Sequence, residues 1–125
     1  PGDAIKRYKL DHDLSRNLIS EKSEWPNIVR REILKLGFVE VDNQFWSSAN
    51  DTERTNFLKN ENGLTHKKIR NEIKEELENI IYLNYYQDLK DIVRFVLREL
   101  VKENILVRAG KSGGTRHARI LTIEN

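Results

Sequence analysis

The sequence predicts a mainly α-helical fold with short β-hairpins, an α+β class, and three observations predict it. Three stretches, Trp25 to Leu36, Ile69 to Ile81 and Leu89 to Leu100, repeat apolar side chains at spacings of three and four. That is the period of one buried helical face. After Gly37 and again after Asn104 the period shortens, in Phe38-Val39-Glu40-Val41 and in Ile105-Leu106-Val107-Arg108-Ala109. Short runs rich in β-branched and aromatic residues suit strands. Breaker-rich segments, Asn60-Glu61-Asn62-Gly63 and Gly110-Lys111-Ser112-Gly113-Gly114, fall at the joints, where the chain must turn.

Taken in order, residues 3–20 place Ile5, Tyr8, Leu10, Leu14, Leu18 and Ile19 at a loose helical spacing, with Asp13 a candidate N-cap. Ser23 ahead of Glu24-Trp25-Pro26 suits a capped first turn, and Trp25, Ile28, Val29, Ile33 and Leu36 form one apolar face down to Gly37. Phe38 to Val41, a turn at Asp42-Asn43 and a return strand Gln44-Phe45-Trp46 predict a hairpin. Asn50 or Asp51 then caps a short helix through Lys59. Thr65 opens a longer helix over 65–83, with Ile69, Ile73, Leu77, Ile80 and Ile81 inward and Lys and Glu outward. Asn84-Tyr85-Tyr86-Gln87 interrupts the pattern, which resumes from Asp88 to Glu103 on Leu89, Val93, Val96, Leu97 and Leu100. Asn104 tolerates the left-handed backbone that ends a helix.

A chain of 125 residues accommodates one ordinary domain or two very small ones. The expected organisation is a helical unit over 1–50 ending in a hairpin and a second unit over 51–125, either as tandem units of one kind or fused into one domain. A short echo supports the tandem form: Ile28-Val29-Arg30 and Ile92-Val93-Arg94 each lie in a helix that runs into a predicted hairpin. Trp25 and Trp46 are expected to close the N-terminal core. The chain begins at Pro1 and holds no Met, which leads to the expectation of a piece cut from a longer protein. No membrane span and no secretory leader is legible, so a cytoplasmic, nucleoid-associated or nuclear home is expected over secretion. With no cysteine there is neither a disulfide nor a thiolate metal site.

The net charge of +2 averages unlike segments. Residues 1–50 hold eight Lys/Arg against eight Asp/Glu, 51–103 ten against eleven, and 104–125 four against one. The excess lies on Arg108, Lys111, Arg116 and Arg119 of the last hairpin. On the preceding helix Lys90, Arg94, Arg98 and Lys102 recur every four residues and share a face. Like charges at that spacing repel by a few tenths of a kcal/mol per pair, so stability does not favour the row. A solvated face in a chain that is 34% charged is the competing account. At the hairpin tip, glycines let the backbone approach another surface, while Lys111, Ser112 and Thr115 offer donors to phosphate oxygens. Tyr82, Tyr85 and Tyr86 stand just ahead of the basic helix and suit interhelical packing more than base stacking.

The run from Ile92 to Arg108, a leucine-rich basic helix passing through Glu103-Asn104 into Ile105-Leu106-Val107, resembles the recognition helix and following strand of winged helix-turn-helix proteins. The resemblance spans about the last 60 residues and is a superfamily pattern without a family signature. It implies that Gln87, Lys90, Asp91, Arg94 and Arg98 face the major groove of duplex DNA. It also implies that Arg108, Lys111, Ser112, Thr115, Arg116 and Arg119 belong to the wing. The pattern departs at one point, because the strand usual after the first helix of such a unit is not visible ahead of the basic helix.

Catalytic motifs do not assemble. Gly110-Lys111-Ser112 echoes the end of a phosphate-binding loop, but Ile105 stands where the first glycine belongs and a strand follows instead of a helix. Glu72-Ile73-Lys74 has a nuclease-like spacing inside a helix, where strand geometry is needed. His12, His66 and His117 are scattered. The expectation is a module without enzyme activity, cofactor or metal that binds duplex DNA. It would serve as a regulator or as the reading unit of a larger protein such as a restriction or mobile-element enzyme. A homodimer or domains of the parent protein are further expected partners. The competing class is a winged helix used for protein contact within an assembly.

Overall fold

The computed structural model describes residues 22–81 and 86–121, apart from the side chains of Lys22, Tyr86, Gln87 and Ser112. The expected helix over 3–20 and the side chains of Tyr82, Tyr85 and Tyr86 lie outside the described residues. Nine main elements follow: α1 (Trp25–Leu34), β1 (Glu40–Asp42), α2 (Asn43–Ser48), α3 (Asp51–Asn60), β2 (Leu64–Thr65), α4 (His66–Glu78), α5 (Tyr86–Lys102), β3 (Leu106–Ala109) and β4 (Arg116–Leu121). The architecture is α+β, helices with a small mixed sheet.

Local chemistry explains most boundaries. Asn50 and Glu53 form a reciprocal capping box at the start of α3: the Glu53 amide donates to Asn50 Oδ1 at 2.8 Å and the Asn50 amide to Glu53 Oε1 at 3.0 Å. Thr65 caps α4, its hydroxyl accepting from the Lys68 amide at 3.1 Å. Pro26 sits in the first turn of α1, where a missing N–H costs nothing, although Glu24 and not Ser23 holds the N-cap position. Asn62 and Asn104 both take left-handed backbone, φ 59° and 61°, and end α3 and α5.

Helices α1, α4 and α5 pack together around Val29, Ile33, Ile69, Ile73, Leu77, Val93, Leu97 and Leu100, all buried. A bidentate ion pair between Arg30 and Glu103 ties α1 to the end of α5, with Nη2 to Oε1 at 3.1 Å. A second, smaller cluster of Val41, Trp46, Leu58, Val107 and Ala118 lies between the sheet and helices α2 and α3. In the sheet β4 is central: β3 pairs antiparallel along one edge, Leu106 opposite Arg119 through Ala109 opposite Arg116. Its other edge takes β2 antiparallel, Leu64 opposite His117, and β1 parallel, Glu40 opposite Arg119.

Three expectations need correction. The hairpin over 38–46 does not form: Asp42 is extended, at φ −65° and ψ 132°, and its carboxylate accepts from the Phe45 amide at 3.0 Å. That is an N-cap, so Gln44-Phe45-Trp46 turns into α2, burying Trp46 and leaving Phe45 exposed. The 65–83 helix is shorter, ending at Glu78, with Ile80 and Ile81 held by turn bonds to the Leu77 carbonyl at 2.9 and 2.8 Å. Trp25 and Trp46 do not share an N-terminal core; each joins a different cluster, and both clusters include residues from beyond position 51. Strand β1 likewise finds its partner in β4 and not beside its own helix.

Candidate nucleic-acid interface

The basic row on α5 forms one wall of a cleft. Lys90, Arg94, Leu97 and Arg98 stand on that side, His66, Lys67 and Arg70 on the first turns of α4 stand opposite, and Arg108, Gly113, Thr115 and His117 of the β3–β4 hairpin close the end. The space is about 530 Å³ and no carboxylate lines it. Six Lys and Arg residues drawn from three elements concentrate positive potential in a concave site, which attracts phosphate more strongly than the same charges spread over a convex surface. Asp91 lies beside the row, 3.7 Å from Arg94, and Lys102 stands off the cleft, 3.7 Å from Glu99.

Two histidines frame the cleft, and both have lowered pKa values. His66 Nε2–H donates to the Lys90 carbonyl at 3.2 Å, joining the start of α4 to α5. Burial lowers its pKa, and the Arg70 charge lowers it further. His117 Nδ1–H donates to the Leu64 carbonyl at 3.1 Å across the β2–β4 pair, and burial pushes its pKa down to about 4. Both rings therefore act as fixed donors within the fold, and the permanent cations supply the charge.

The hairpin distributes its residues in a way the sequence did not foretell. Arg108 and Thr115 line the cleft and also the space on the far side of the tip, where Lys111 is exposed. Arg116 donates to the Gly63 carbonyl at 2.8 Å and Arg119 to the Leu34 carbonyl at 3.5 Å, so both guanidiniums brace the sheet against neighbouring segments. The side chains of Gln87 and Ser112 lie outside the described residues. Gly110 has φ +117°, and a Cβ there would stand 2.7 Å from the Gly114 carbonyl, so the tip requires glycine at that position. Gly113 and Gly114 face open space.

Sequence reasoning missed His66, Lys67, Arg70 and His117. A signal existed for two of them, since Lys67 and Arg70 lie three apart just after the Thr65 cap and so share a side of the first turn of α4. Among the described residues no three His, Cys, Asp or Glu side chains gather closely enough to hold a metal ion. No helix among them is long and apolar enough to cross a membrane. No family model, no curated protein and no solved structure matches the chain.

Proposed function

We propose that the chain is a winged helix-turn-helix module that binds duplex DNA, with α5 as the recognition helix and the β3–β4 hairpin as the wing. The element order supports this reading: α1, β2, α4, α5, β3, β4, with three helices packed together and β2 and β3 flanking β4 antiparallel. Leu64 and Thr65 are the strand missing from the sequence pattern, two residues long, and residues 35–63 are an insertion between the first helix and that strand. The observation that carries the proposal is the cleft between α5, α4 and the hairpin, lined by Lys67, Arg70, Lys90, Arg94, Arg98 and Arg108 with no carboxylate among them.

In this arrangement one DNA strand lies in the cleft, with Lys67, Lys90 and Arg108 against its phosphates. Arg94 and Arg98 reach from α5 toward base edges, where arginine suits guanine. The chain then serves as a regulator or as the DNA-reading unit of a larger protein. A gel-shift series on random duplex DNA tests it. Log affinity should fall against log salt, and the three phosphate contacts of this cleft should by themselves contribute about −3 to the slope. Arg94→Ala with Arg98→Ala should weaken binding roughly tenfold or more. Salt-insensitive binding, or undiminished binding by that double variant, would refute the assignment. One observation favours a protein partner instead: Phe95, 52% exposed, sits on the outer face of α5. An absence of duplex binding at low salt would give that reading precedence.

A further inference from the structure

The hairpin has a second basic groove on its opposite side, and nothing in the duplex-binding proposal uses it. Helix α3 runs beside the hairpin and the two enclose adjoining spaces of about 430 and 280 Å³, which share Thr55, Ala109, Gly110 and Lys111. The larger end is electrically mixed. Asp51 lines it, and Arg54 is committed to the fold, its guanidinium 5.0 Å from the Trp46 ring and its Nε donating to the Trp46 carbonyl at 2.9 Å. The smaller end has no carboxylate: Thr55 and Lys59 come from α3, and Lys111, Gly114 and Arg116 from the hairpin.

We infer that this smaller groove is a second phosphate site, holding the DNA strand opposite to the one in the α5 cleft, so that a duplex is gripped on both sides of the hairpin. The inference rests on the duplex-binding reading and extends it to α3, which belongs to the insertion. Three features carry it. Lys59 and Lys111 are far apart in sequence, yet the fold brings both to one groove, where two like charges are unfavourable until an anion joins them. The α3 wall is rigidly seated, with Leu58 fully buried beneath it and the Asn50–Glu53 capping box at its start. The hairpin tip presents glycine to each side, Gly113 to the cleft and Gly114 to the second groove, with open space at both Cβ positions. A backbone can therefore lie close on either flank. A hairpin between two phosphate tracks is the arrangement of a wing inside a minor groove, whose borders are the two strands.

Fluorescence anisotropy with a labelled 20-base-pair duplex and the matching single strand, each over a salt series, tests the inference on the full chain. Lys59→Ala and Lys111→Ala should each reduce the magnitude of the duplex salt slope by about 0.9, and the double variant by about 1.8. The single strand needs only the α5 cleft, so its slope should stay unchanged in the same variants. Both lysines are exposed, and thermal melts of the variants should coincide with the parent's. Steep salt dependence in the parent with the same slope in the double variant would overturn the second site and leave the α5 cleft standing. Failure of the parent to bind duplex DNA at all would overturn both.

Discussion

His117 makes folding stability depend on pH in a direction opposite to that of a salt-bridged histidine. Its ring is buried in β4, with Nδ1–H donating to the Leu64 carbonyl, and Arg108 and His66 nearby add to the penalty for a positive charge. The folded-state pKa is about 4 and the ordinary value 6.5. The unfolded chain therefore takes up a proton between these values while the folded protein does not. The stabilisation is complete above pH 6.5 and is lost as pH falls from 6.5 to 4. The full difference is worth about 3 kcal/mol, of which about 2 kcal/mol has gone by pH 5. For a domain of this size that corresponds to a fall in Tm of roughly 8 °C between pH 7.5 and 5. Thermal or urea melts of the parent and His117→Gln at the two pH values provide the assay, the glutamine amide preserving a donor toward Leu64. Glu103, paired with Arg30, titrates below the ordinary carboxylate range and so leaves this window largely to the histidines. His66 remains in both proteins and largely cancels in the difference. Equal pH-dependent losses in the parent and the variant would refute the buried, neutral state of His117.

Two substitutions test other joints of the structure. Leu58→Ala removes a fully buried side chain from the cluster that seats α3 against the sheet, and urea melts should show a loss of about 2–5 kcal/mol. A loss below about 1 kcal/mol would mean that α3 is not anchored there. Gly110→Ala forces a side chain onto φ +117° with a contact at 2.7 Å, so the tip must rearrange, at a cost of about 1–3 kcal/mol. Amide spectra should change around residues 108–116 and stay constant in α1; unchanged hairpin resonances would count against the described turn.

What the sequence made legible is what near neighbours decide. The stripes of α1, α4 and α5, the caps at Asn50 and Thr65, the left-handed Asn104 and the β3–β4 hairpin all depend on residues within a few positions of one another. The misread segment, 38–46, shows the limit of such reasoning. Asp42-Asn43 suits a hairpin turn or a helix N-cap equally well, because an Asx side chain accepts a backbone N–H two or three residues ahead in either case. The choice is made by β4, which offers β1 a parallel edge from the far end of the chain and releases Gln44 to Ser48 to coil. Strand β2 is too short for any periodicity and exists because β4 pairs with it. The site followed the same division. The α5 row could be read by counting in fours, but its facing wall on α4 could not, and neither could the capture of Arg116 and Arg119 by the Gly63 and Leu34 carbonyls.

The chemistry of the cleft argues for a surface whose charge is permanent. Lysine and arginine remain charged across the physiological range, whereas histidine is the side chain that normally switches within it. Here both histidines of the cleft have lowered pKa values, His117 by burial to about 4 and His66 by burial and the Arg70 charge. Each instead spends its N–H on a backbone carbonyl: His66 joins α4 to α5, and His117 joins β2 to β4. These are the junctions that bring the three walls of the cleft together. A protonated ring at either place would carry a buried charge at a desolvation cost and add it to a region already crowded with cations. The two rings therefore tie the walls together, and Lys67, Arg70, Lys90, Arg94, Arg98 and Arg108 set the field between them. The separation of roles suits a partner recognised first by its phosphates, since the charge of the walls comes from lysine and arginine and not from the histidines.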